Sequence, residues 1–166
     1  METGRIAPFL YNHTKEINAS NSVFYKHCHD YYEIIYIIEG NAIVNIDGKK
    51  YVADSNTAVF IRPTQYHFFE LSSTVYERIV IRFFDFFIPA PIAKDFNSVT
   101  EKIAVTKNRD VLNILYNVSY TIKKVPSEYK EDLINCYIKE LLYFLYLHAN
   151  EFSGMEEFVT ESKKNI

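Results

Sequence analysis

Residues 27–67 read HCHDYYEIIYIIEGNAIVNIDGKKYVADSNTAVFIRPTQYH. The pattern is one of short strands. "YYEIIYIIEG" is an apolar run closed by Gly40. "NAIVNI", Asp47-Gly48, "KKYVA" and "TAVFI" follow, and Pro63 ends the series. Asp-Gly between two strand patterns marks a two-residue hairpin, because glycine readily takes the positive φ such a turn needs. Proline stops a strand because it has no N–H to donate. Upstream "VFYKHCH" and downstream "HFFEL" and "VYERIVIRFF" read as further strands. Short strands joined by tight turns predict an antiparallel sandwich or barrel.

The two prolines of "IPAPI" mark a boundary, and beyond it the period changes. Val111, Leu112, Leu115, Val118 and Ile122 recur at helical spacing until Pro126 breaks the helix. Ser127 and acidic Glu128 suit the start of a second helix, expected to run to Gly154. Its apolar face is wide. Leu133, Tyr137, Leu141 and Leu145 form one row, and Ile134, Ile138 and Leu142 a second, with Phe144 beside them. A helix lying on one sheet needs a single stripe. Either both rows pack within the chain, or one faces a second subunit. The second alternative places Tyr137, Leu141 and Leu145 at a dimer contact. The expected divisions are a β domain with an N-terminal arm over 1–92, a helical region over 93–154 and a polar linker over 155–166.

The chain has 166 residues, 48% of them hydrophobic, which suits one globular domain with a helical appendix. A formal charge of -3 gives no basic face for nucleic acid. No stretch approaches the length of a membrane span. Cys28 and Cys136 fit no zinc spacing, and the first twelve residues hold no signal-like apolar run. A cytoplasmic protein with free thiols is expected, in which the sequons at Asn12, Asn18 and Asn117 stay unused.

Side chains on a regular strand alternate between faces, so His27, His29, Tyr31 and Glu33 would share one face. His67 follows the Pro63 turn and would approach them once the strands fold into a barrel. Three imidazoles and a carboxylate are ligand types that suit a divalent transition metal. The bland alternative is a satisfied polar cluster bracing the mouth of the fold. Arg78 and Arg82 share a face with Tyr76 and Val80. They would either meet an anionic group or lie on a solvated outer face.

The string H-x-H-x3-E-x6-G, filled by His27, His29, Glu33 and Gly40, resembles the first cupin motif, and Arg62 to His67 resembles a shortened second motif. The wider run is similar to the sensor domain of AraC-type transcription regulators, closely over about residues 20–85 and loosely to about 150. The chain departs from the cupin pattern in Asn21 and Leu71, in Ser55-Asn56-Thr57, and in lacking glycine between Pro63 and His67. The resemblance implies a mainly β fold with C-terminal helices: a cupin-like (jelly-roll) antiparallel barrel followed by a two-helix dimerisation region. It implies a small-molecule effector, a sugar or other metabolite, bound in the lumen by His27, His29, Tyr31, Glu33, His67, Arg78 and Arg82. It further implies a homodimer whose DNA contacts come from a separate helix-turn-helix part, and no enzymatic activity. No metal is required, although an adventitious divalent ion at His27, His29, Glu33 and His67 is compatible with the set. The alternatives are a small metal-dependent cupin enzyme and a metabolite- or carbohydrate-binding module without a DNA partner.

Residues 1–166 alone should therefore show only weak, salt-sensitive binding to duplex DNA in a gel shift at physiological salt. Sequence-specific retention would place the DNA-binding part inside this chain.

Overall fold

The computed structural model describes residues 2–6, 9–19, 23–100 and 105–149. The expected linker over 155–166 and the helix end at Gly154 lie outside them. The strands are β1 (Glu2–Ile6), β2 (Phe9–Ile17), β3 (Tyr32–Glu39), β4 (Ala42–Ile46), β5 (Lys49–Ala53), β6 (Thr57–Ile61), β7 (His67–Leu71), β8 (Val75–Phe83) and β9 (Val105–Lys107). The helices are α1 (Ala90–Ala93), α2 (Phe96–Thr100), α3 (Arg109–Lys124) and α4 (Ser127–Leu147). Two antiparallel sheets result. One has six strands in the order β1-β2-β8-β3-β6-β9, the other three in the order β5-β4-β7.

The turns follow local chemistry. Asp47 and Gly48 both take positive φ between β4 and β5, and the Gly48 amide donates to Asn45 Oδ1 at 3.0 Å. Gly40, where the chain leaves β3, has a φ of +107°, and a Cβ there would meet the Val75 carbonyl oxygen at 2.5 Å. The glycine of the H-x-H-x3-E-x6-G string is thus required by backbone geometry.

The central strands β3 and β6 of the large sheet are buried on both faces, which explains the unbroken apolar run of β3. Ile35, Ile37, Val59, Ile61, Tyr76 and Val80 face the small sheet and pack with Val44, Ile46, Phe69 and Leu71. Ile34, Tyr36, Phe60, Ile79, Ile81 and Phe83 face the helices and pack with Phe96, Leu115, Val118, Ile138 and Leu142. The site described below therefore sits one strand away from the helical layer.

The structure corrects three expectations. The sheets form a sandwich and do not close into a barrel. Among the described residues no ladder joins the two sheets, and β7 meets only two isolated bridges, Val23 with Glu70 and His27 with His67. Residues 23–29, expected as a strand, form only those bridges. In α4, Leu141 and Leu145 are buried within this chain, at 0% and 1% exposure, whereas Tyr137 is half-buried and Leu133 is exposed. The reason is geometric: each i to i+4 step overshoots a helical turn by about 40°. The row Leu133-Tyr137-Leu141-Leu145 winds from the outer surface into the core. Leu141 and Leu145 cannot serve as an outward dimer row.

Leu141→Ala should consequently lower stability by about 2–5 kcal/mol. Leu133→Ala should cost about 1 kcal/mol or less. Urea denaturation of both variants checks this.

Candidate functional site: a buried carboxylate and three histidines beside a cavity

Glu33 near the start of β3 is directly opposite Arg82 of β8 in the sheet register. Opposed side chains share a face and lie close together. Arg82 Nε accordingly donates to Glu33 Oε1 at 2.6 Å. The Glu33 side chain is only 3% exposed. Its other oxygen, Oε2, lies 3.4 Å from His29 Nε2 and 3.4 Å from His67 Nε2. The His67 contact is one of charge and proximity, since His67 Nε2 has no directed hydrogen bond.

The imidazoles are oriented by backbone. His27 Nδ1 is 2.8 Å from the Tyr25 carbonyl, His29 Nδ1 is 2.8 Å from the Tyr31 carbonyl, and His67 Nδ1 is 3.0 Å from the Gln65 carbonyl. A carbonyl only accepts, so each Nδ1 carries the proton and each neutral ring presents a lone pair at Nε2. His27 and His67 are bridge partners whose amides donate to each other's carbonyls, with ring centroids 4.3 Å apart. Tyr31 stacks on His29 at 3.9 Å between centroids and 6° between planes.

This geometry poses an electrostatic demand. Two Nε2 lone pairs would face a carboxylate oxygen across 3.4 Å. Such an arrangement repels unless a cation stands between them. Protonated imidazoles meet the demand, and so does a divalent metal. One candidate ligand atom from each of His27, His29 and His67 lies within 4.8 Å of the other two. The donor set is nitrogen with carboxylate oxygen, and the Nδ1–carbonyl bonds are the outer-shell support typical of metal-bound histidine. The residues present fit a transition metal. Burial by itself would push the Glu33 carboxyl up. The polar contact of His29 and the close approach of His67, then the charge and hydrogen bond of Arg82, outweigh it and hold the group well below the usual carboxylate range.

A cavity of about 250 Å³ opens beside this cluster, between the sheets. Glu33 and Ile35 of β3, Arg78, Val80 and Arg82 of β8, and His67 and Phe69 of β7 line it, with Phe24, Tyr25 and His27 from the crossing segment. Of the residues singled out in the sequence, His27, Glu33, His67, Arg78 and Arg82 line the cavity. The structure removes the solvated-face alternative for the two arginines. His29 and Tyr31 are not among the lining residues: His29 contacts Glu33 from the side and Tyr31 backs His29. Sequence reasoning missed Phe24, Tyr25, Ile35, Phe69 and Val80. Ile35 was available from its shared parity with Glu33, and Val80 from lying between the two arginines. Phe24 and Tyr25 carried no signal, because residues 23–29 follow no regular strand period.

Two antiparallel sheets enclose a side-chain-lined cavity, with histidines and a glutamate on one wall and helices following in the chain. Residues 14–83 match the family model of the AraC-like ligand binding domain. No curated protein matches the sequence. Among solved structures, the chain is similar to a Cupin 2 conserved barrel domain protein from Salinispora arenicola, with 18% identity over 55% of this chain and 72% of that one at a TM-score of 0.41. It is also similar to an RmlC-like cupin family protein from Methanocaldococcus jannaschii, with 16% identity over 45% of this chain and 68% of that one at a TM-score of 0.41. A predicted oxalate decarboxylase from Thermotoga maritima is 22% identical over 45% of this chain and 65% of its own length, with a TM-score of 0.42. At these identities and TM-scores the likeness says nothing of what this chain binds.

The depressed Glu33 carboxyl gives a pH dependence of definite sign. Its stabilisation is present above the unfolded carboxylate pKa of ~4.3 and is lost as pH falls through that value toward the folded one. Arg82→Gln leaves the buried charge without its guanidinium and should cost about 3 kcal/mol at pH 7. The difference from the unmutated chain should shrink as pH falls through the carboxylate range, because Glu33 of the variant takes up a proton before that of the unmutated chain. Urea titrations across that range measure it.

Proposed function

We propose that this chain is the effector-sensing and dimerising region of an AraC-type transcription regulator. A small molecule enters the cavity between the sheets, and DNA is contacted by a separate helix-turn-helix part. The observation that carries this reading is the cavity's position: it lies inside the segment that matches the model of a ligand-binding family, and charged groups line it. The mechanism is a shift in population between two arrangements of sheet and helices, which requires the effector to bind them unequally. The large sheet offers a direct path. Along β3, Glu33 and Ile35 line the cavity while Ile34 and Tyr36 pack in the helical core; along β8, Val80 lines the cavity while Ile79 and Ile81 pack in that core. A ligand that shifts these strands shifts the floor on which α3 and α4 rest.

The dimer contact in this reading uses what α3 and α4 leave outside, namely Tyr120, Tyr129 and Leu133 with half-buried Tyr137. No helix among the described residues is long and apolar enough to cross a membrane. The reading places the regulator in the cytoplasm and assigns it no catalysis.

The Nε2 convergence on Glu33 favours a second reading, a metal-dependent cupin. There His27, His29, His67 and Glu33 would hold a divalent ion, which when bound supplies Lewis-acid polarisation of a substrate oxygen. Glu33 is kept ionised and the Nδ1–carbonyl bonds keep each Nε2 free to ligate.

Light scattering at tens of micromolar should show a dimer. Tyr129→Glu combined with Leu133→Glu should give a folded monomer whose Tm no longer depends on protein concentration. A monomeric unmutated chain would remove the route from ligand to dimer geometry. Elemental analysis of tag-free protein separates the two readings. Stoichiometric iron or manganese, lost in His29→Ala together with an activity, would establish the enzyme.

A further inference from the structure

We infer that the cavity takes a small organic carboxylate with an apolar body, and that the Arg78 guanidinium is its charge partner. This rests on the reading of the cavity as an effector site and goes further by naming the class of effector.

The argument begins with the charges that line the cavity. Glu33 is the sole carboxylate among the lining residues, and it is committed to Arg82 at 2.6 Å. Arg78 lines the same space, and among the described residues it has no ion pair; the Tyr76 hydroxyl is a neutral polar neighbour of its guanidinium. Its Nε is buried without an acceptor. Its neighbours are ring faces, with Phe24 4.4 Å and Tyr76 5.7 Å from the guanidinium carbon. Buried donors in folded proteins are almost always satisfied. A half-buried guanidinium flanked by rings, with no anion from the chain, is poised for one from outside. The planar fork matches a carboxylate with two parallel hydrogen bonds.

The remaining walls define the rest of the ligand. Ile35, Phe69 and Val80 are apolar, and Phe24 and Tyr25 are aromatic. Few polar groups remain for the many hydroxyls of a sugar. A phosphate dianion would call for a second uncommitted cation, and Arg82 is already engaged. The cavity, at about 250 Å³, falls below the ~300–1,000 Å³ typical of sites for drug-sized ligands. The acid is therefore small.

The test uses the full chain stripped of metal by chelator and dialysed, so that a carboxylate cannot bind through an ion. The probes are benzoate and hexanoate, their neutral counterparts benzamide and hexanol, inorganic phosphate, and glucose. Thermal shift and isothermal titration should detect benzoate or hexanoate and not the neutral counterpart at the same concentration. Arg78→Met should weaken that binding roughly tenfold or more, and Arg78→Lys should weaken it less. Without ligand, Arg78→Met should keep or raise the Tm, because it replaces an unpaired guanidinium with an apolar chain of similar length; Arg78→Gln serves as a second variant if it does not fold. Equal binding of acid and neutral counterpart, or acid binding unchanged in Arg78→Met, overturns the inference and leaves the effector reading standing. Binding of phosphate but of neither acid also overturns it, by making the site one for inorganic anions. Silence from every probe, charged and neutral, overturns it and counts against the effector reading itself.

Discussion

The Glu33 carboxylate is the constraint around which this end of the fold is organised. It is 3% exposed, and an unpaired charge at that depth costs several kcal/mol. Three separate parts of the chain are brought to it. Arg82 comes from the neighbouring strand, His67 from the start of β7 in the other sheet, and His29 from the crossing segment. No ladder joins the two sheets among the described residues. At this end a shared ionic cluster and the His27–His67 bridge hold the small sheet to the large one. The imidazoles are aimed by their own backbone through the Nδ1–carbonyl bonds, so their directions follow from local chain geometry.

Much of this was legible because it depends on short-range rules. The hairpin at Asp47-Gly48 follows from the φ that only certain residues adopt comfortably. Glu33 and Ile35 share a face because strand side chains alternate. The approach of His67 to the H-x-H pair was also readable, since the Pro63 turn reverses the chain between them. What was not legible depends on how edges and axes meet in space. Closure into a barrel requires hydrogen-bonded pairing at both edges of the small sheet, and strand patterns are the same with or without it. Residues 23–29 carry β-branched and aromatic side chains, yet β7 takes up only two of their pairings. An i, i+4 row looks straight on paper and winds on a helix, which is why Leu133 and Leu145 lie in different environments.

The large sheet lies between the cavity and the helical layer. Its central strands are buried on both sides, with successive residues alternating between the inter-sheet core and the helical core. In the proposed reading, a displacement of β3 or β8 on the cavity side would carry to the contacts under α3 and α4, because alternate residues of the same strands pack there. The apolar run "YEIIYII" is the sequence trace of this two-sided burial.

The cavity makes two separate charge demands, and the geometry of β8 keeps them apart. Arg78 and Arg82 point to the same side of the strand but are four residues apart, about 13 Å at strand rise. Glu33 is matched to Arg82 in direct contact, whereas no carboxylate of the described residues is paired with Arg78. One end of the cavity calls for a cation, supplied as a proton or a metal, and the other for an anion. A neutral occupant touching only the apolar floor would answer neither demand. The polar groups at both ends, rather than the volume between them, set what this site discriminates.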